Sequence, residues 1–370
     1  ARGNWGPAAD AQRYRVTGMH PTSTTLLQYG WGERVAALYA EVAEAHHQPG
    51  RVVRVERASR LGRAACVVRL DSDEVTAVAD VRPAVGDWAV VGTDDEGTYV
   101  IDHLLPRWSK LARQDPGNEN GVQVLAANLD YVAIFAPLDR LKVARIEREL
   151  LIAWESGASP LVLLTKADLV DDAEAVAEDV RARLVGAEIV VTSSADGTGV
   201  RQVSELLQPN RTAVLFGPSG AGKSTLANAL LGREALATGA VRENDQRGRH
   251  TTTSRHLLPL PGGGVLIDTP GLRALPIWEG EHGLAAAFAD IEELAGSCRF
   301  RDCSHEREPG CAVTAAVAGG TLDPERMSSY RKLQLEVEQA ERNRDVQARQ
   351  AEASRVKALT KATRNHSKKR

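Results

Sequence analysis

The chain has 370 residues, 43% of them hydrophobic and 26% charged, with a formal net charge of −3. That composition is ordinary for folded protein and excludes a chain disordered throughout, and the length calls for two or three domains. No run approaches the roughly 18 to 20 apolar residues that a membrane span needs, and the first residues lack the basic, apolar and small-residue order of a secretory signal. The expectation is a cytoplasmic protein with no membrane partner.

Residues 1–48 read as a leader with little fold of its own, holding one short helix over 33–45. Residues 49–110 carry five short β-rich runs, at 51–55, 65–70, 75–80, 88–91 and 99–104, separated by turns such as Arg82-Pro83 and Asp94-Asp95-Glu96-Gly97. Five strands at that spacing predict a small barrel, OB-like by first choice, with an SH3-like barrel giving a similar pattern.

From 111 to 275 the pattern changes to buried strands (131–136, 161–165, 188–192, 213–216, 265–268) alternating with helices (143–155, 173–184, 223–231), which predicts an α/β layer architecture. A Cys/His-rich, mainly helical segment fills 276–340, where Asp323-Pro324-Glu325 opens a long charged helix with an Asp cap and Pro at its first position. The last segment, 341–370, holds ten Lys or Arg against three acids. It reads either as an RNA-contacting extension or as a solvated helix or tail.

Three motifs in the α/β region carry chemistry. Gly217-Pro218-Ser219-Gly220-Ala221-Gly222-Lys223-Ser224 matches GxxxxGKS between a predicted strand and helix. The glycines let backbone N–H groups turn around phosphate oxygens, Lys223 reaches the β and γ phosphates, Ser224 ligates Mg²⁺, and Thr225 completes the set. Thr165-Lys166-Ala167-Asp168 reads as a guanine-recognition turn. The Asp168 carboxylate accepts from the two adjacent donors that guanine offers and adenine lacks, and the Lys166 stem lies over the base. Thr165 stands where Asn is usual, keeping a hydroxyl but losing the amide. Ser193 and Ser194, after the strand at 188–192, occupy the place of a second base-contacting loop.

Asp268-Thr269-Pro270-Gly271 ends the last strand, with Asp268 placed to hold Mg²⁺ through water and Gly271 to approach the γ-phosphate. Leu272 follows, where many GTPases carry a water-orienting glutamine. Between these motifs, Arg247-Gly248-Arg249-His250-Thr251-Thr252-Thr253 reads as a nucleotide-sensing switch, with Thr252, or Thr251 beside it, as a magnesium ligand. His250 is a candidate catalytic group to replace the glutamine; its other readings are a solvated or an RNA-contacting histidine. The order of the motifs is rotated: the base-reading turn precedes the phosphate loop. That rotation marks a circularly permuted GTP-binding domain, which is possible because domain termini lie close together on the surface.

Cys298, Cys303, His305 and Cys311 supply three thiolates and one imidazole, a complete tetrahedral set for one structural Zn²⁺ with no position open for catalysis. Cys66 stands alone in an apolar run and reads as a buried strand thiol.

Together these residues resemble the ribosome small-subunit-dependent GTPase A family, RsgA, over roughly residues 50–340. The carrying elements are the motif rotation, Gly248-Arg249-His250-Thr251-Thr252-Thr253, Asp268-Thr269-Pro270-Gly271-Leu272 and the Cys298 to Cys311 pattern. Gly86-Asp87-Trp88, Pro106-Arg107 and Asn128-Leu129-Asp130 support them. The resemblance implies an N-terminal OB fold, a permuted P-loop GTPase core and a C-terminal zinc domain. It implies a GTPase of late small-subunit (30S) maturation that binds the subunit and its 16S rRNA in the GTP form. Hydrolysis to GDP, stimulated by the subunit, then drives release of what is expected to be a monomer. The alternative is a GTP-gated RNA-binding regulator acting away from the ribosome; an ATP-driven transferase is disfavoured by Asp168.

Overall fold

The computed structural model describes residues 24–56, 63–115, 118–236, 255–268 and 275–367. Two short helices come first, α1 (Thr24–Gln28) and α2 (Glu33–Ala40). The leader reading of 1–48 does not hold for them. Leu26, Trp31, Val35 and Tyr39 are buried against Trp88, Val90 and Leu105 of the following domain, and the Trp31 and Trp88 rings meet edge to face with centroids 5.4 Å apart. An aromatic pair of that geometry adds to its burial energy. The helix also stops at Ala40, earlier than the sequence suggested.

Strands β1 (Gln48–Val55), β2 (Ala64–Arg69), β3 (Glu74–Ala79), β4 (Trp88–Thr93) and β5 (Tyr99–Leu104) close into a barrel in the order β1-β2-β3-β5-β4. The β3–β5 pair is parallel and the other pairs are antiparallel. A barrel closed only by consecutive hairpins would be antiparallel throughout, so the parallel pair selects the OB-type arrangement over the SH3-like one. Val52, Cys66, Val68, Ala77, Ala89, Val91 and Ile101 fill its interior. Burial pushes the Cys66 thiol up to about 12, so it remains an unreactive neutral core group.

The hairpin β6 (Lys110–Asp115) and β7 (Asn118–Ala127) joins barrel to sheet. At this junction the supporting motifs converge. Arg107 donates twice to Asp87 at 2.6 Å, and Asn128 Nδ2 donates to the Gly86 carbonyl at 3.0 Å. Gly86, at φ 93, allows this approach, because a Cβ there would sit 2.3 Å from the Ala127 carbonyl oxygen.

The central sheet comprises β8 (Tyr131–Pro137), β9 (Ser159–Thr165), β10 (Glu188–Val191), β11 (Thr212–Phe216), β12 (His256–Pro259) and β13 (Val265–Asp268), in the order β10-β9-β8-β11-β13-β12. All pairs are parallel except β12 with β13. Near-continuous apolar runs such as Val132 to Ala136 suit strands covered on both faces. The cover comes from α3 (Val143–Glu155), α4 (Ala173–Arg183), α5 (Val200–Leu206) and α6 (Lys223–Leu231). Asp172 caps α4 by accepting from the Ala175 N–H at 3.0 Å. The loops after β8, β9, β10 and β11 therefore gather at the carboxyl edge of the parallel strands, where β13 also ends at Asp268, the edge at which open α/β sheets bind ligands. The chain enters this sheet at β8 and reaches central β11 only after β9 and β10. Permutation changes the entry point while leaving the strand neighbours of the phosphate loop in place.

Beyond the sheet, α7 (Glu281–Ala287) and α8 (Ala289–Ala295) lead to the cysteine cluster, followed by α9 (Ala312–Ala318) and the long α10 (Pro324–Ser367). Gly283 lets α7 lie directly on α3, since a Cβ would meet the Leu151 carbonyl at 2.2 Å. Arg326, 3% exposed, donates to Glu147 of α3 at 3.2 Å and to Asp290 at 2.6 Å. Arg148 binds Glu336 of α10 at 2.6 Å. The base of α10 is thereby held to the sheet domain by the buried Arg326–Glu147 pair and the partly exposed Arg148–Glu336 pair.

Candidate nucleotide site and metal centre

The phosphate loop runs from the end of β11 at Phe216 into α6 at Lys223. Gly217 has φ 145, and a Cβ there would press 2.9 Å from both the Phe135 carbonyl oxygen and its Cβ. Gly220 and Gly222 also lie at positive φ, 69 and 90. These glycines allow the tight ring of N–H groups that an anion requires. Lys223 Nζ donates to the carbonyls of Gly217 at 2.8 Å and Pro218 at 2.6 Å, keeping the ammonium at the loop's centre. Ser224 is half-buried and Thr225 exposed at the start of α6.

The base-reading turn follows β9. Thr165 is buried, and its hydroxyl donates to the Ala221 carbonyl at 2.8 Å. The residue that departs from the usual Asn thus ties the base turn to the phosphate loop across 56 residues of chain. Lys166 sits in the left-handed region at φ 62, and its ammonium bonds Asp139 Oδ2 at 2.9 Å. Asp168 is exposed, and its Oδ1 accepts from the Ser193 hydroxyl at 2.7 Å. Ser193 is itself buried, with Ser194 half-buried beside it, so Ser193 holds the carboxylate while the adjoining loop lines the same edge. Arg140 Nη2 donates to the Ser219 carbonyl at 2.9 Å.

Asp268 ends β13, half-buried. Burial pushes its carboxyl up, while Lys223 and His256 pull it down, as expected for an acid facing the phosphate-loop lysine. Ser224 and Asp268 are the described residues suited to Mg²⁺ beside a bound triphosphate. The expected site residues His250, Thr251, Thr252, Gly271 and Leu272 lie outside the described residues. Asp139 and Arg140 went unread in the sequence. Their signal was positional: a turn directly following a central parallel strand belongs to the ligand-binding edge.

The cysteine cluster has the dimensions of a zinc site. Tetrahedral bonds of about 2.3 Å to sulfur and 2.0 to 2.1 Å to nitrogen require S···S edges near ~3.8 Å and S···N edges near ~3.6 Å. Cys298 and Cys311 Sγ lie 3.9 Å apart, and His305 Nδ1 is 3.6 and 3.5 Å from them. All four ligand atoms, with Cys303, lie within 4.8 Å of one another. Burial pushes the Cys311 thiol up, but the Thr314 N–H and His305 outweigh it and leave it at about 6. Burial beside the other sulfurs pushes Cys303 up to about 11. Arg331 donates to the His305 carbonyl, bracing the imidazole's backbone. Among the described residues, no helix is long and apolar enough to cross a membrane.

Comparison with known proteins agrees with this geometry. The RsgA GTPase family model matches residues 104–278. The small ribosomal subunit biogenesis GTPase RsgA of Streptomyces coelicolor is 45% identical, over 90% of this chain and 92% of the relative. The protein of the same name from Opitutus terrae is 41% identical, over 92% and 97%. Two solved structures share the fold at 24% identity. YjeQ from Thermotoga maritima has a TM-score of 0.56 and covers 79% of this chain and 98% of its own. YloQ, described as a circularly permuted GTPase, has a TM-score of 0.55 and covers 80% and 96%. With the permuted sheet, the base-reading turn tied to its phosphate loop and close relatives spanning nearly the whole length, this chain belongs to the RsgA GTPase family.

Proposed function

We propose that this protein is a GTP hydrolase of small ribosomal subunit maturation. In this reading it binds the 30S subunit and its 16S rRNA in the GTP form as a cytoplasmic monomer, and leaves after subunit-stimulated hydrolysis to GDP. The observation that carries the nucleotide part is Asp168, fixed by the buried Ser193 hydroxyl on the same sheet edge as the phosphate loop. The names of the relatives carry the ribosomal part.

Each residue has a task in this reading. Asp168 accepts from the guanine N1–H and amine. The Gly217 to Gly222 backbone and Lys223 hold the phosphates, and Ser224, Asp268 and Thr252 are the groups for Mg²⁺, which would neutralise charge developing on the γ-phosphate. Leu272 has no donor or acceptor to orient water. The slow step in isolation is therefore water positioning, which ordering of the switch by the subunit would supply through His250. The Cys298, Cys303, His305 and Cys311 zinc is structural in this scheme.

Asp168→Asn tests the nucleotide assignment. It should weaken GTP and GDP binding and move preference towards xanthine nucleotides, whose extra carbonyl needs a donor; unchanged GTP affinity would contradict it. For the catalytic assignment, His250→Ala should leave nucleotide and subunit binding nearly intact and lower stimulated turnover by about 10²- to 10⁴-fold if His250 acts as a base, and by less if it only positions water. Wild-type stimulated turnover in that variant would remove His250 from the mechanism.

A further inference from the structure

The turn after β8, Leu138–Arg140, touches both halves of the cleft. Asp139 Oδ2 accepts from Lys166 Nζ at 2.9 Å, joining residues 27 apart. Arg140 Nη2 donates to the Ser219 carbonyl at 2.9 Å, joining residues 79 apart. Neither residue belongs to a phosphate-loop, base-reading or switch motif. Resting on the guanine-nucleotide reading above, we propose that Asp139 and Arg140 are positioning residues of the nucleotide site. Asp139 sets the Lys166 stem against the base, and Arg140 holds the γ-phosphate end of the phosphate loop.

The case for Asp139 rests on what an unanchored lysine would cost. A free Lys side chain loses up to about 2 kcal/mol of rotamer entropy when it is fixed, and that loss would fall on nucleotide binding if Lys166 were ordered only by the base. Its backbone already stands in the left-handed region, at φ 62, which aims the side chain across the turn. The ion pair with Asp139 fixes the far end, with both side chains about one-third exposed. Ordering ahead of binding is the general route by which such a contact raises affinity.

The case for Arg140 follows from the place of Lys223. Its ammonium bonds the Gly217 and Pro218 carbonyls, and in a phosphate loop that ammonium serves the β and γ phosphates. The arm from Gly217 to Ser219 therefore borders the β,γ end of the loop, the end that GTP fills further than GDP, and Ser219 is the residue that Arg140 holds. Gly220 makes room for the contact: a Cβ there would sit 3.2 Å from Arg140 Nη2. Asp139 thus bears on the base, which GTP and GDP share, while Arg140 bears on the end that GTP fills further.

Equilibrium binding of fluorescent GTP and GDP analogues to the full chain tests both roles. Asp139→Asn should raise both dissociation constants by about fivefold, the upper range for an ion pair of this exposure. Because it acts through Lys166, it should add nothing to the loss already caused by Lys166→Ala in the double variant. Arg140→Ala should weaken GTP more than GDP, shifting their ratio by about three- to tenfold, a range set by the net worth of one exposed hydrogen bond, with part recovered in Arg140→Lys. Additive losses for Asp139→Asn and Lys166→Ala would overturn the Asp139 role, and equal weakening of GTP and GDP by Arg140→Ala would overturn the γ-end role. Wild-type binding in both single variants would overturn the proposal entirely. Asp168→Asn separates this from the parent reading: if it weakens guanine binding while the other variants do not, only the present inference fails; if it too has no effect, the nucleotide assignment itself fails.

Discussion

Thr165 shows how one hydroxyl can stand in for an amide. Its Oγ1 donates to the Ala221 carbonyl at 2.8 Å in a buried setting, so the base-reading turn and phosphate loop are tied directly to each other. Removing one buried partner leaves the other unsatisfied, at a cost of about 1 to 3 kcal/mol. Thr165→Val keeps the shape and removes the donor, and should raise the GTP dissociation constant by about tenfold, whereas Thr165→Ser should retain it. Titration calorimetry on the two variants checks this, and equal affinities would show that the hydroxyl is idle. The sequence presents Thr165 only as a departure from Asn. Its partner lies 56 residues away, and a contact between distant loops leaves no local pattern to read. Asp139 and Arg140 were invisible for the same reason. Lys223, Asp168 and the cysteines were legible because their chemistry requires fixed residue types at fixed spacings.

At the scale of elements, legibility followed hydrophobic patterning. The β8, β9, β11 and β13 strands are buried apolar runs, and α3 and α6 begin and end where the sequence placed them. The β6–β7 hairpin was missed because Lys110-Leu111-Ala112-Arg113-Gln114-Asp115 has too few apolar residues to alternate clearly. Helices α1 and α2 were read as leader because their buried side chains are few, and what they cover, Trp88, Val90 and Leu105, lies far along the chain.

The cysteine segment is short of apolar packing as well, with Arg299, Phe300 and Arg301 all exposed, so the metal supplies the order that a core would otherwise provide. About one zinc per chain is expected, and chelation should release the 298–311 loop while leaving the central sheet folded, as read by hydrogen exchange. Zinc is held by deprotonated ligands, so acid competes for the three sulfurs and the imidazole, and zinc retention should fall as pH is lowered. Retention that does not change on acidification, or full loop protection after chelation, would count against a structural metal.

In the whole molecule, the nucleotide domain is bonded to both of its neighbours. Arg51 of the barrel is 1% exposed, lies 4.9 Å from the Trp88 ring centre, and donates to Thr212 Oγ1 at 2.8 Å. Thr212 opens β11, the strand that ends at the phosphate loop. Burial pushes the Arg51 guanidinium down to about 10, with Asp130 and Asp87 opposing. It therefore stays charged at neutral pH and keeps its hold on β11. On the other side Glu147 and Arg148 of α3 bind Arg326 and Glu336 of α10. At the sheet edge, β12 places His256 opposite Asp268 in register. Burial and Arg54 of the barrel push His256 down, against Asp268 and Glu74.

The strand that ends at the phosphate loop is thus bonded to the barrel through Arg51, and α3 of the same sheet domain is bonded to α10 through the Glu147–Arg326 and Arg148–Glu336 pairs. The proposed function requires the small subunit to raise GTP hydrolysis by this chain. GTP hydrolysis should be measured for the full chain alone, with purified small subunits, and with large subunits as control. The account predicts slow turnover alone, a marked rise with small subunits and none with large ones. Turnover indifferent to small subunits, or raised equally by large ones, would contradict it.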